Sequence, residues 1–328
     1  MPTDLPTIPL IEVGRAGPIL LIEEEPERLE ELLDGARKLY TEPLLRLGDH
    51  LARRWFAKAA TPYVPEIAAV AELAAPVGAW ALNFSFEWAC TTGVVADPCG
   101  VGNRLLRTLD WPLDGLGRSL VVAGMEGTAG RFLSVTWPGY AGVLTAMAPG
   151  RFSAAINVPP MRRLTFVKPA DWLLNRLRVL SRREQPPSHL LRQVCETCAA
   201  YDDARDMLMS TPVCAPVFYT LSGREPGECC VIERTEDEAW VHDGPGSIAN
   251  RWLKWPQAGH DRGWDSPGRL ARMEACRTNG APDGFDWVSP PILNPTTRLA
   301  AVANAALGTL RVRGYEKDGT ATKDFATG

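Results

Sequence analysis

The residue types with the most chemistry per position sit in Glu87-Trp88-Ala89-Cys90-Thr91-Thr92-Gly93. Arg107 and Asp110 follow in Arg107-Thr108-Leu109-Asp110-Trp111-Pro112. If the β-rich run after Cys90 turns at Asp97-Pro98-Cys99-Gly100 and returns, both charges come beside Cys90. A cation near a thiol raises its thiolate fraction. A carboxylate nearby can hold an amine. Neither stretch contains a histidine, and the chain has four in all: His50, His189, His242 and His260. One base that needs no histidine is the α-amino group of the nucleophile itself, with an ordinary pKa of about 7.7–8.0. Cleavage of the Ala89–Cys90 bond would release it, and the amine could then take the thiol proton. The bland alternatives are a buried core thiol at Cys90 and a structural ion pair between Arg107 and Asp110.

The elements that must position these residues show in the hydrophobic rhythm. Glu23 to Ala60 has a helical period, through Leu29, Leu32, Leu33, Ala36 and Leu39, with a break expected near Pro43. Val64 to Ala75 is a second helix, with Pro65 in its first turn, and helical character fades through Pro76-Val77-Gly78. From Cys90 onward the texture is strand and turn. Thr91–Ala96, Arg104–Leu109, Ser119–Ala123, Phe132–Trp137, Gly142–Ala146 and Phe152–Val158 are expected as an antiparallel meander. Helices are expected at Pro169–Arg183, His189–Ala200 and Asp203–Ser210, and strands at Val217–Leu221, Cys230–Glu233 and Ala239–His242. A helix over Ser266–Arg277 and a hairpin of Leu299–Asn304 with Thr309–Tyr315 close the chain. This alternation indicates a layered α+β fold.

Five stretches in this order resemble the linear-amide C–N hydrolases of the N-terminal-nucleophile superfamily. That family includes choloylglycine hydrolase, penicillin V acylase, acid ceramidase, N-acylethanolamine acid amidase and isopenicillin-N acyltransferase. The stretches are Cys90-Thr91-Thr92, Arg107 to Pro112, Gly139 to Asn157, Ile248-Ala249-Asn250, and Asp265-Ser266-Pro267-Gly268-Arg269 through Met273. The resemblance runs from about Leu82 to about Cys276. It implies a four-layer αββα sandwich, with residues 1–89 as a helical propeptide that stays associated as a subunit and 90–328 as the catalytic domain.

The resemblance also implies roles. Cys90 would be nucleophile and, after cleavage, base. Asp110 would bind the new amine, and Arg107 would sit by the thiolate. Asn157 and Asn250 would donate to the oxyanion, and Arg269 would complete the polar ring. Separately from the resemblance, Trp111, next to Asp110, is a candidate to line an acyl pocket, against the usual core role of a Trp. The alternatives remain open: Asn157 and Asn250 as turn residues, Arg269 as a solvated helix residue. Arg104 and Arg272 compete with Arg107 and Arg269 for register. Val158 departs from the pattern, standing where acid ceramidase has a Glu.

The expected activity is hydrolysis of an N-acyl amide through a Cys90 thioester, with no cofactor and no metal. An acyltransferase of the isopenicillin-N type is the alternative within acyl transfer. In a different class stands a non-catalytic metal or redox protein using Cys195-Glu196-Thr197-Cys198; a helical setting and no second zinc-spaced pair favour a core role instead. A papain-like Cys-His enzyme would need one of the four histidines.

Composition narrows the partners. The 328 residues carry 35 Lys plus Arg against 39 Asp plus Glu, a net charge of −4, so a nucleic-acid footprint is not expected. No apolar run is long enough to span a bilayer. Met1 to Leu10 lacks a basic opening and is broken by Pro2, Pro6 and Pro9, so no secretory signal is expected. A cytoplasmic location with reduced thiols follows as an expectation, and an oligomer stays open.

Overall fold

A computed structural model describes residues 5–73, 77–255, 259–280, 282 and 284–327. The expected helix end at Ala74–Ala75, Pro76, and the Met1–Asp4 part of the opening lie outside the described residues. The N-terminal part runs β1 (Leu10–Gly14), α1 (Pro18–Glu24), α2 (Pro26–Tyr40), α3 (Glu42–Phe56), α4 (Val64–Leu73) and α5 (Ala79–Asn83). The predicted break near Pro43 falls at Thr41, whose φ of 59° is not helical. Pro43 then sits in the first turn of α3, where its missing N–H costs nothing.

Strands β2 (Ala89–Ala96) and β3 (Asn103–Asp110) follow, then β4 (Val121–Gly127), β5 (Gly130–Thr136), β6 (Thr145–Ala148), β7 (Phe152–Asn157) and β8 (Met161–Arg162). Three helices come next: α6 (Lys168–Ser181), α7 (Pro187–Thr197) and α8 (Tyr201–Ser210). The chain continues through β9 (Val217–Gly223), β10 (Cys229–Arg234), β11 (Ala239–Asp243), β12 (Gly246–Ile248) and β13 (Gly259–His260). It ends with α9 (Ser266–Thr278), β14 (Thr297–Asn304), β15 (Thr309–Glu316), β16 (Gly319–Thr320) and β17 (Phe325–Ala326).

Two large sheets result. One has the order β1-β4-β5-β6-β7-β9-β10-β11, and the other β12-β2-β3-β14-β15-β16 with β17 also on β15. Of the expected six-strand meander, β4 to β7 form one antiparallel run, whereas β2 and β3 form a hairpin in the other sheet, beside β14. The sheets face each other where β2 and β3 cross β7 and β9. Helices α7 and α8 cover the outside of the first sheet, and α9 covers β2 and β12 on the outside of the second. The layers are therefore helix, sheet, sheet, helix, an αββα sandwich.

The apolar alternation of both inner faces builds the largest core cluster, which includes Cys90, Leu109, Phe132, Met147, Ile156 and Tyr219. One feature departs from an all-helical N-terminal segment. β1 joins the first sheet as an edge strand parallel to β4, with Leu10 opposite Val122 and Ile11 opposite Ala123. A strand of five residues with Glu12 in its centre leaves too short a period to read. The same holds for β12, whose three residues supply the edge beside β2.

Candidate active site

The β2–β3 hairpin sets the register of the site. Ala89 pairs with Asp110, Cys90 with Leu109, Thr91 with Thr108 and Thr92 with Arg107. Strand side chains alternate between faces. Cys90, Thr92 and Arg107 therefore point between the sheets, while Ala89, Thr91 and Asp110 point toward α9. The two charges expected beside Cys90 are both there, on opposite faces of one strand pair.

On the inner face, Cys90 is completely buried. Burial pushes its thiol up to about 11, with the Arg107 guanidinium favouring the thiolate and Asp110 opposing it. Arg107, itself buried, donates from Nη1 to Asn157 Oδ1 at 3.1 Å and from Nε to Thr145 Oγ1 at 3.2 Å. Its Nη2 has no oxygen partner. Asn157 also accepts from Thr92 Oγ1 at 2.6 Å, and its Nδ2 donates to the carbonyls of Ile248 and Ala249 at 3.2 and 3.1 Å. Asn157 thus ties β7 to β2 and to the loop that carries Asn250.

On the outer face, Arg269 grips the backbone at the candidate cleavage site. Its Nη1 donates to the Cys90 carbonyl at 2.8 Å and to Thr91 Oγ1 at 2.9 Å. Its Nη2 donates to Asn250 Oδ1 at 2.9 Å. That same Oδ1 accepts from the Cys90 N–H at 3.0 Å, while Asn250 Nδ2 donates to the Val158 carbonyl at 2.6 Å. Asp110 accepts from Thr297 Oγ1 on Oδ1 at 2.9 Å. Its Oδ2 is buried without a hydrogen-bond partner, 3.5 Å from Arg269 Nη1. Burial holds the Asp110 carboxyl above the usual range, against the opposing pull of Arg269.

The two competing arginines lie away from Cys90. Arg104 pairs with Asp97 at the hairpin turn, and Arg272 donates to Ser289 on the exposed side of α9. Trp111 packs at a tilt against Trp88 and donates to Tyr40 of α2 at 3.1 Å. It lines an apolar cavity beneath α2, with Leu32, Leu33, Leu116 and Trp137. Val158 borders a second cleft, with Phe86 and Arg262.

The histidines have their partners elsewhere. His189 contacts Thr61, His242 Glu233, and His260 Asp171. Burial drives His189 down to about 3. His50 lies on α3 beside Asp49 and Trp80. Cys195 and Cys198 are buried on α7 and at its end, and their carbonyls accept from Arg151. Among the described residues, no group of three or more His, Cys, Asp or Glu side chains is placed to hold a metal.

Several supporting residues escaped the sequence reading. Ser266 Oγ accepts from the Asn250 N–H at 3.1 Å, fixing the loop before α9. Thr297 and Thr145 anchor Asp110 and Arg107. Gly263, at φ 70°, leaves room for Ala89: a Cβ there would lie 2.4 Å from the Ala89 Cβ. Only the Asp265-Ser266-Pro267 helix start carried a signal, since Asp265 caps α9 through the Gly268 N–H. Single Thr and Gly residues in strands and loops carry none.

A four-layer sandwich with a strand-borne buried cysteine, an arginine on each face and a carboxylate at the preceding residue defines the class: the N-terminal-nucleophile fold. The comparisons agree. Human acid ceramidase is 27% identical over 188 residues, covering 54% of this chain and 46% of that protein. Bovine acid ceramidase is 30% identical over the same span and shares. The chain thus spans about half the length of the curated relatives it matches. The solved structure of the Caenorhabditis elegans N-acylethanolamine-hydrolyzing acid amidase ortholog superposes with a TM-score of 0.51 at 20% identity, covering 73% of this chain and 100% of that one. No protein-family model matches. The chain is thus similar in sequence to acid ceramidase over about half its length, and it shares the fold of the N-acylethanolamine-hydrolyzing amidase ortholog.

Proposed function

We propose that this protein is a self-processing cysteine amidase that hydrolyses a linear N-acyl amide through a Cys90 thioester. The observation that carries the reading is Asp110 Oδ2, a buried acceptor with no donor, beside the residue that precedes Cys90. An unmet buried acceptor is costly. Cleavage of Ala89–Cys90 supplies what it lacks, an ammonium group at the Cys90 nitrogen.

In the self-cleavage step the Cys90 sulfur attacks the Ala89 carbonyl carbon, and the C–N bond breaks. The nitrogen leaves as the new α-amine, carrying the thiol proton. Water then hydrolyses the thioester, leaving an Ala89 carboxylate and restoring the thiol. In turnover the freed amine takes the thiol proton, the thiolate attacks the substrate amide, the leaving amine departs protonated, and water cleaves the thioester to release the acid and restore the thiol. Arg107, with Nη2 unengaged, faces the sulfur. Asn250 and Asn157 are in place to be redirected: the carbonyl that Asn250 Nδ2 meets belongs to Val158, at the edge of the substrate cleft.

The N-terminal segment is proposed to remain as a subunit. It keeps β1 in the first sheet, and Glu66 of α4 pairs with buried Arg192 of α7 at 2.6 Å. Intact-mass measurement after expression tests the reading. Wild type should give fragments of residues 1–89 and 90–328 that copurify, and Cys90→Ala should stay whole and inactive. An uncut wild type at every pH tried, with an active Cys90→Ala, would sink it.

A further inference from the structure

Next to Cys90 lies a set of contacts that the chemistry above does not use. Glu87, three residues before the nucleophile, puts its carboxylate into a cradle of three donors. Oε1 accepts from Arg176 Nη2 and from the Trp172 indole N–H at 3.2 Å. Oε2 lies 3.7 Å from Arg262 Nη1. The cradle is built rather than incidental. The Arg176 guanidinium stacks on the Trp172 ring at 5.4 Å, and Arg262 is tied to the carbonyls of Phe86 and Pro159 at 2.8 and 3.0 Å. It closes one end of a cleft with apolar walls at Phe86, Val158, Pro159, Met161 and Pro216.

The two sides of this contact fall on opposite sides of the Ala89–Cys90 bond. All three donors belong to residues 90–328. The acceptor belongs to the segment that self-cleavage severs. A surface ion pair is ordinarily worth little. Here, though, two arginines and an indole converge on one carboxylate, whose chain end comes free when the bond breaks.

The direction of the chain sets which part of a substrate would follow. In self-cleavage, Ala89 supplies the acyl carbonyl, so Glu87 to Ala89 occupy the acyl side of the site. We propose that cleavage vacates this cradle and that the mature enzyme uses it to bind a carboxylate borne by the acyl group of its substrate. The inference rests on the amidase reading and narrows its substrate class to N-acyl amides with an acidic acyl chain. Counting bonds from the Ala89 carbonyl carbon to the Glu87 carboxyl gives a spacing of about ten bonds in an extended chain. The best fit is therefore an α,ω-dicarboxylic monoamide of about eleven carbons, its methylenes lying along the apolar walls.

Two measurements test this independently. The first compares anilides of undecanedioic acid, free at the far carboxyl, with anilides of undecanoic acid. Processed wild type should favour the acidic substrate in kcat/KM by about tenfold or more, as a charge-assisted pair allows. In Arg176→Leu the ratio between the two should collapse to within about twofold. Equal rates on both substrates, or a preference that survives Arg176→Leu, would overturn the cradle and leave the amidase reading standing. The second is calorimetric and needs no turnover. With Cys90→Ala blocking cleavage and Trp88-Ala89 still seated, Glu87→Ala should bind hexanoate, whose carboxylate needs only the emptied cradle, and bind hexanamide at least about tenfold more weakly. Cys90→Ala alone, with Glu87 seated, should bind neither. Equal binding of hexanoate with and without Glu87, or no binding of it to either protein, overturns the proposal. A chain that never self-cleaves overturns the amidase reading instead, and the Glu87→Ala titration still decides the cradle.

Discussion

The two faces of β2 at Cys90 carry opposite unmet demands. Between the sheets, Arg107 Nη2 is a buried donor without an oxygen partner, beside a thiol that burial keeps protonated. Toward α9, Asp110 Oδ2 is a buried acceptor without a donor, beside Ala89. The inner face thus holds an unengaged donor, and the outer face an unengaged carboxylate oxygen with Arg269 3.5 Å away. Breaking the bond between Ala89 and Cys90 makes an amine on the strand backbone and a thiol that can ionise. On the proposed reading, the uncut chain would be arranged for its product, with Arg107 set for the thiolate and Asp110 for the new amine.

Arg269 is where the comparison can be broken most forcefully. It is fully buried and bonded at once to Cys90, Thr91 and Asn250, with Asp110 3.5 Å away. Replacing it with leucine strips five hydrogen-bond acceptors of their donor and leaves a buried carboxylate without its cation. Removing one partner of such a pair costs about 3–5 kcal/mol. In a Cys90→Ala background, where cleavage cannot confound the result, Arg269→Leu is expected to lower the midpoint of chemical denaturation by that amount. On the wild-type background it should abolish processing. Unchanged stability would show that the outer face is not held by this residue.

Asn250 is expected to matter next, and in a way that separates the faces. Asn250→Ala removes the acceptor of the Cys90 N–H and the donor aimed at Val158. Turnover of the processed protein should fall about 10²–10³-fold, the usual loss for an oxyanion donor. Single-turnover kinetics on a chromogenic amide checks this. Undiminished turnover would confine Asn250 to holding the uncut strand.

Arg107 tests the inner face through pH. Its charge favours the thiolate, so Arg107→Gln must raise the thiol pKa further. Below that pKa the thiolate fraction, and with it the rate of self-cleavage, falls tenfold for each unit of the rise. The expected result is a cleavage–pH profile displaced to higher pH, read from intact mass over time. Coincident profiles would remove Arg107 from the thiol.

Much of this arrangement was legible because it is local. The turn at Asp97 to Gly100 fixes the β2–β3 register, and that register alone brings Arg107 and Asp110 to Cys90. What stayed hidden was which face each would take, since one residue of slip exchanges them. The family-like stretch from Asp265 to Met273 pointed to α9, and with it to Arg269. Nothing announced Thr145, Thr297 or Gly263, because a partner 38 or 187 residues away leaves no local pattern. β1 was hidden for another reason. It is an edge strand of five residues that gains its place by pairing with β4, not by its own periodicity.

The smallest expected effect is the sharpest check on register. Arg272 follows Arg269 by one turn of α9 and matches the family spacing nearly as well, yet it donates only to Ser289 Oγ, at 3.0 and 3.2 Å, on an exposed surface. Arg269 reaches the strand because three residues of helix rotate a side chain by most of a turn, which places one arginine over β2 and the other past it. Arg272→Ala should therefore change stability by no more than about 0.5 kcal/mol, as for surface sites away from special features. Processing and turnover should match wild type within about twofold, measured beside Arg269→Leu. A large loss at Arg272 with a small one at Arg269 would mean that α9 sits one turn out of register over the cleavage site, and the outer face would have to be rebuilt around the other arginine.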